Sequence, residues 1–102
     1  MEHNQDHLNI LRSIHNEPEL SQRKLAKDLG FSLGKLNYCL KALKEKGLIK
    51  IHNFQKKEKK IQYFRYMITP EGIAERTRLT INFMKRKMKE YDELKKELES
   101  YE

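Results

Sequence analysis

Cysteine is nearly absent from this chain. Cys39 stands alone, so no internal disulfide can staple the fold and stability has to come from packing. Tryptophan is missing, and the only prolines and glycines are Pro18, Pro70, Gly30, Gly34, Gly47 and Gly72, which leaves long stretches without a breaker. No apolar run has the length of a signal peptide or a membrane span, so we expect a cytoplasmic protein with no membrane partner. The residues that catalysis would need are also not assembled. His3, His7, His15 and His52 lack metal-ligand spacing, and there is no glycine-rich phosphate loop, Ser/His/acid set or paired-carboxylate site. We therefore expect no enzyme, no metal and no cofactor.

What the chain does have is charge in one place. With 37% hydrophobic and 36% charged residues, 102 residues can build one small core, which we expect a partner chain to complete. From Ser32 to Arg65 there are ten lysines and arginines against Glu45 and Glu58, a net +8. The whole chain carries +7, so the other 68 residues sum to −1. A polyanionic partner would meet its positive field in that segment alone. The bland alternative is a solvated lysine-rich surface, the usual fate of charge runs.

Ser32 to Gly47, SLGKLNYCLKALKEKG, predicts one complete helix. Ser32 can cap its first turn and Gly47 can take the left-handed conformation that closes its last. Leu36, Cys39, Leu40 and Leu43 recur at three- and four-residue steps, whereas Lys35, Asn37, Tyr38, Lys41 and Lys44 point elsewhere. On the packed stripe, Cys39 reads as a small buried hydrophobe and not as a redox sensor.

Before that helix, Met1 to about Asp6 is expected to fray. Leu8, Ile10, Leu11 and Ile14 then give a first helix, which Pro18 stops. Leu20 either staples the next helix or supplies a one-rung strand against the hairpin. Ser21 to Gly30 is a second, shorter helix burying Leu25, Ala26 and Leu29, with Gln22, Arg23, Lys24 and Lys27 outside. Phe31 follows at the turn. After Gly47, LIKIHN, QKKEKK and IQYFRYMI read as strand, charged turn and strand. Leu48, Ile49, Ile51, Phe64, Tyr66 and Ile68 are expected on the core face, and Tyr63, Arg65 and Met67 on the other. Helix, short turn, helix, hairpin is the winged helix-turn-helix order. The fold class is mainly α with a small β-hairpin (α+β), with residues 1–69 as the nucleic-acid-binding unit and 70–102 as a long dimerisation helix.

Thr69-Pro70-Glu71 opens that last helix. Gly72 is the only breaker between Glu71 and Ser100, so the helix can extend about 45 Å at 1.5 Å per residue, too far for a small domain to cover. Ile81, Met84, Met88, Tyr91 and Leu98 fall on heptad spacing, with Lys95 as the one polar intruder. A homodimer explains this spacing better than a single solvated helix with snorkelling lysines. The relative direction of the two helices is left open.

The run LSQRKLAKDLGFSLGKLNYCLKALKEKGLIKI, followed by MITPEGIAE, resembles the DNA-binding core of MarR-type winged-helix transcriptional regulators, from about Leu8 to Glu75. The tail RTRLTINFMKRKMKEYDELKKELE further resembles a short bacterial subgroup associated with exopolysaccharide gene clusters. The resemblance implies that Ser32, Leu33, Gly34, Lys35, Asn37, Tyr38 and Lys41 face the major groove of double-stranded DNA. It also implies that the tip from Gln55 to Lys60 reaches an adjoining groove or phosphates. Two departures stand out. Larger members carry more helices around their dimer interface and often a small-molecule pocket, so an effector is left open here. The family's wing usually holds an aspartate-arginine pairing, whereas this tip is KKEKK.

By chemistry, Lys35, Lys41, Lys44, Lys56, Lys57, Lys59 and Lys60 suit phosphates, a sequence-blind and salt-dependent term. Asn37 suits adenine, Tyr38 a base edge or phosphate, and Lys35 also guanine. The competing reading is a winged-helix protein–protein interaction module with weak, non-specific DNA binding. RNA binding ranks third, since only Tyr38 and Tyr63 could offer an aromatic platform.

Overall fold

The computed structural model describes residues 2–17, 19–56 and 61–101, and their side chains except at 2, 3, 19, 53–56 and 61–64. The elements run α1 (Glu2–Asn16), β1 (Glu19–Leu20), α2 (Gln22–Leu29), α3 (Leu33–Glu45), β2 (Ile49–Lys56), β3 (Ile61–Ile68) and α4 (Pro70–Ser100). Three helices start where a hydroxyl can take a backbone N–H. Ser21 Oγ accepts from Lys24, Ser32 Oγ from Lys35 and Thr69 Oγ1 from Gly72, at 3.1, 3.1 and 3.0 Å. The ends of α2 and α3 share one solution. Gly30 and Gly47 sit at φ +71° and +72°, and the next N–H, of Phe31 or Leu48, reaches back to the carbonyl of Ala26 or Leu43.

Packing follows the stripes. Leu8, Ile10, Leu11 and Ile14 of α1, Leu25 of α2 and Leu36, Cys39, Leu40 and Leu43 of α3 are each at most 2% exposed, and Ile49 and Tyr66 of the hairpin join them. Leu29, Phe31, Ile51 and Ile68 pack partly buried against this cluster. Arg65 and Met67 face outward, as strand alternation requires. The sheet order is β1-β3-β2, antiparallel throughout. Leu20 is both buried and a strand residue, its β1 partner on β3 being Phe64.

One expectation about α1 is corrected. Among the described residues the helix runs from Glu2, so residues 2–6 are helical and not frayed. Tertiary partners hold its first turns: the Asp6 carboxylate lies 3.2 Å from Lys35 Nζ of α3, and Gln5 Oε1 accepts from Arg86 of α4 at 3.5 Å. The stop expected at Pro18 lies outside the described residues. The described helix closes at Asn16, with the Glu17 N–H on the Ser13 carbonyl.

The end of α3, the end of β3 and the start of α4 meet at one junction. Thr69 donates its hydroxyl to the Gly47 carbonyl at 2.6 Å and its N–H to that of Leu48 at 3.0 Å. Gly72 is buried directly beneath, where a Cβ would collide with the Leu48 carbonyl oxygen and stand 2.7 Å from Ile68 Cγ2. The first turns of α4 then run along α1, burying Leu79 and partly Phe83. Beyond Phe83 every described residue of α4 is exposed, and the molecule extends 65 Å in its longest dimension.

Candidate nucleic-acid interface

The outward face of α3 consists of the residues its stripe leaves out. Leu33, Gly34, Lys35, Asn37, Tyr38, Lys41 and Lys44 are all exposed, as is the capping Ser32. They recur at helical spacing, so the face is continuous over three turns. Ser32 Oγ accepts from the Lys35 N–H and keeps its own proton for donation. No acidic residue occupies the first turn of α3, so the positive end of its dipole is uncompensated there. Tyr38 is 65% exposed.

Lys35 has a second allegiance. Its ammonium pairs with Asp6 and lies 4.3 Å from the centroid of the Phe31 ring, so it ties α1 and the α2–α3 turn to the start of α3. That contact also reaches inward. Burial pushes the Cys39 thiol up from its ordinary range, Asp6 adds to this and Lys35 opposes it. Cys39 is 1% exposed and is a packed residue, poorly placed for thiolate chemistry.

Of the hairpin residues expected to reach phosphates, Lys56 ends β2, paired with Ile61. Lys57, Lys59 and Lys60 lie outside the described residues. The wing contributes two cations, Lys50 and Arg65, and the imidazole of His52, none of them singled out as a site residue. Lys50, His52 and Arg65 are exposed on its outer face, and His52 and Arg65 are cross-strand partners. Strand alternation alone predicts this, since Ile49, Ile51 and Tyr66 face the other way. On α2, Arg23, Lys24 and Lys27 are exposed, with Lys24 drawn to Glu17 at 3.2 Å.

The family described as winged helix-turn-helix DNA-binding matches residues 7–50, which takes in the later part of α1 and all of β1, α2 and α3. Solved structures extend the likeness to the hairpin and α4. The PcaV transcriptional regulator from Streptomyces coelicolor superposes with a TM-score of 0.63 at 19% identity, over 78% of this chain and 56% of that one. A transcriptional regulator homologue from Pyrococcus horikoshii gives 0.65 at 20% identity, over 87% and 85%. A mutant MarR from E. coli, complexed with operator DNA, gives 0.57 at 23% identity, over 72% and 51%. The fold is a winged helix-turn-helix. This chain spans 56% of the PcaV length and 51% of the MarR length. No curated protein matches it by sequence.

In winged-helix terms α2 and α3 are the helix-turn-helix, β2 and β3 the wing, and Leu20 the strand that closes the sheet. Among the described residues no helix is long and apolar enough to cross a membrane, and no group of three or more His, Cys, Asp or Glu could hold a metal ion. The chemistry available on the exposed face is that of cations, a carboxamide, a phenol and a hydroxyl. Those groups bind anions and read hydrogen-bonding edges.

Proposed function

We propose that this chain is a sequence-specific, double-stranded-DNA-binding transcriptional regulator of the MarR type. It acts in the bacterial cytoplasm as a homodimer on a pseudo-palindromic operator, with two recognition helices entering successive major grooves about 34 Å apart. The observation that carries this reading is the outward face of α3, which exposes Lys35, Asn37, Tyr38, Lys41 and Lys44 and is placed in the segment that holds all the excess charge. Ser32, Leu33, Gly34, Lys35, Asn37, Tyr38 and Lys41 face the groove. Lys44 and the wing lysines Lys56, Lys57, Lys59 and Lys60 hold phosphates. Residues 1–69 form the DNA-binding unit, and residues 70–102 pair through Ile81, Met84, Met88, Tyr91 and Leu98. In support, two of the solved structures that share the fold, MarR from E. coli and FabT from Streptococcus pneumoniae, are complexes with DNA. The likeness of the tail to the exopolysaccharide-associated subgroup makes such gene clusters the first targets to examine.

The test is a salt titration of binding, by fluorescence anisotropy, to DNA upstream of the protein's own gene and to a scrambled duplex of equal length. A gap between the two that persists at physiological salt supports a specific regulator, because phosphate binding alone fades steeply there. Collapse of both curves together overturns it. Asn37→Ala is expected to cost about 1–3 kcal/mol on the cognate duplex and little on the scrambled one. Equal losses would remove Asn37 from any reading role.

The second reading, a protein-interaction module, draws on the exposed apolar residues of α4. Charge reversal at Lys56, Lys57, Lys59 and Lys60 separates the two. If DNA retention and cellular function both survive it, the module reading stands and the regulator reading falls.

A further inference from the structure

The second half of α4 and its cap carry a run of exposed large apolar side chains. Met84, Met88, Tyr91, Leu94, Leu98 and Tyr101 are between 56% and 88% exposed. Its charge changes sign partway along. From Arg76 to Lys89 there are six basic residues and no acidic one, and from Glu90 to Tyr101 five acidic residues and two lysines. Near the body, α1 and α4 leave a groove of about 500 Å³, lined by Leu8, Arg12, Arg76, Thr80, Ile81 and Phe83 among others. Ile81 is both part of this groove and the first residue of the heptad stripe, so groove and stripe form one surface.

We propose that a second copy of this chain lies antiparallel along α4, the acidic half of each helix against the basic half of the other. This rests on the homodimer reading above and adds its direction and register. In the heptad frame Ile81 then faces the partner's Leu98, Met88 faces the partner's Tyr91, and Lys95 meets the partner's Met84. The flanking positions follow from that register. Lys85 lies beside the partner's Asp92, and Arg78, already shared with Glu75 of its own chain, lies beside the partner's Glu99. On the other flank the partner's Tyr101 reaches Thr80 at the groove, with Arg12 and Arg76 beside the acidic helix end. A parallel pair would instead stack Lys95 on the partner's Lys95 within the seam and set the two basic stretches side by side. Charge complementarity therefore selects both the occupant and its direction.

Two measurements on the full chain test this. Light scattering after size exclusion gives the mass, and mild oxidation of cysteine variants gives the direction. Cys39 is 1% exposed and does not interfere, and the substituted positions are exposed in the single chain, so the fold is not at stake. Ile81→Cys alone and Leu98→Cys alone are expected to stay uncrosslinked, and the double variant Ile81→Cys/Leu98→Cys to crosslink fully. Lys85→Glu is expected to weaken the dimer about tenfold, and Lys85→Glu/Asp92→Lys to restore it. A monomer at every concentration overturns the homodimer itself. A dimer in which Ile81→Cys crosslinks alone is parallel and overturns only the present inference. So does a dimer in which no variant crosslinks, because its interface then lies elsewhere.

Discussion

Two helices, α3 and α4, carry the same kind of apolar stripe and meet opposite fates. Leu36, Cys39, Leu40 and Leu43 of α3 are 0–2% exposed, whereas Ile81, Met84, Met88, Tyr91 and Leu98 of α4 are 46–68% exposed. Periodicity says that a face needs covering. What covers it is settled by how much chain lies within reach, and α3 has α1, α2 and the wing around it while α4 outruns the body after Phe83. The consequence for function is a division of labour. Under the proposed function, burying one face of α3 fixes the polar face toward DNA, and leaving α4 bare makes the apolar face itself the contact.

The strongest way to break this comparison is to truncate one leucine from each stripe. Leu43→Ala is expected to lower unfolding stability by about 2–5 kcal/mol, because a fully packed site is left with a cavity. Leu98→Ala is expected to change it by less than about 0.5 kcal/mol at concentrations where single chains prevail, the ordinary outcome for an exposed position. Denaturant titrations of both, with unchanged slope, check the pair. Similar losses would mean that α4 is covered within its own chain.

The junction that sets one helix against the other comes next. Gly72→Ala drives a methyl group into the Leu48 carbonyl, a backbone neighbour that cannot swing aside. Overpacking of this kind is expected to cost about 3 kcal/mol. The same titration reads it, and an unperturbed stability would show that α4 can tilt on the body. Tyr66 probes the covered side by pH. Burial pushes its phenol up to about 12 from an ordinary 10. The folded state thus favours the neutral form, whose contribution is complete below pH 10 and is lost as pH rises toward 12. The loss is expected to reach about 2–3 kcal/mol. Tyr66→Phe is expected to flatten that alkaline decline, and an identical decline in the variant would assign it to other groups.

Much of this was legible in local chemistry. Ser21, Ser32 and Thr69 could be read as caps and Gly30 and Gly47 as closures, because those roles depend on residues within four positions. The stripe of α3 and the alternation of the wing were legible for the same reason. Apart from the Leu20 strand, one of two roles offered for that residue, long-range pairings were not. That Asp6 would reach Lys35, and so make helix of a segment expected to fray, depends on α1 crossing α3. That Gly72 sits under Leu48 depends on where β3 delivers the chain. Leu94 and Tyr101 were also passed over, since the strict heptad runs through Lys95, yet both widen the exposed face of α4. At the candidate interface the residue types could be listed in advance, but not that Lys35 would also serve as a tie between helices.

The smallest effect sharpens the comparison most, because it separates the needs of the fold from the needs of the outward face. Gly34 lies in the first turn of α3, and a Cβ built there meets nothing within 4 Å. The chain's own packing gives no reason for glycine at this position, and alanine is the better helix former by about 0.5–1 kcal/mol. Gly34→Ala is therefore expected to stabilise the free protein by about that amount in thermal unfolding. If α3 brings its backbone close to a phosphate or base edge, the same methyl group should weaken cognate DNA binding, so stability and affinity should move in opposite directions. An affinity that stays constant while stability rises would place the contact face further along α3, toward Asn37, Tyr38 and Lys41.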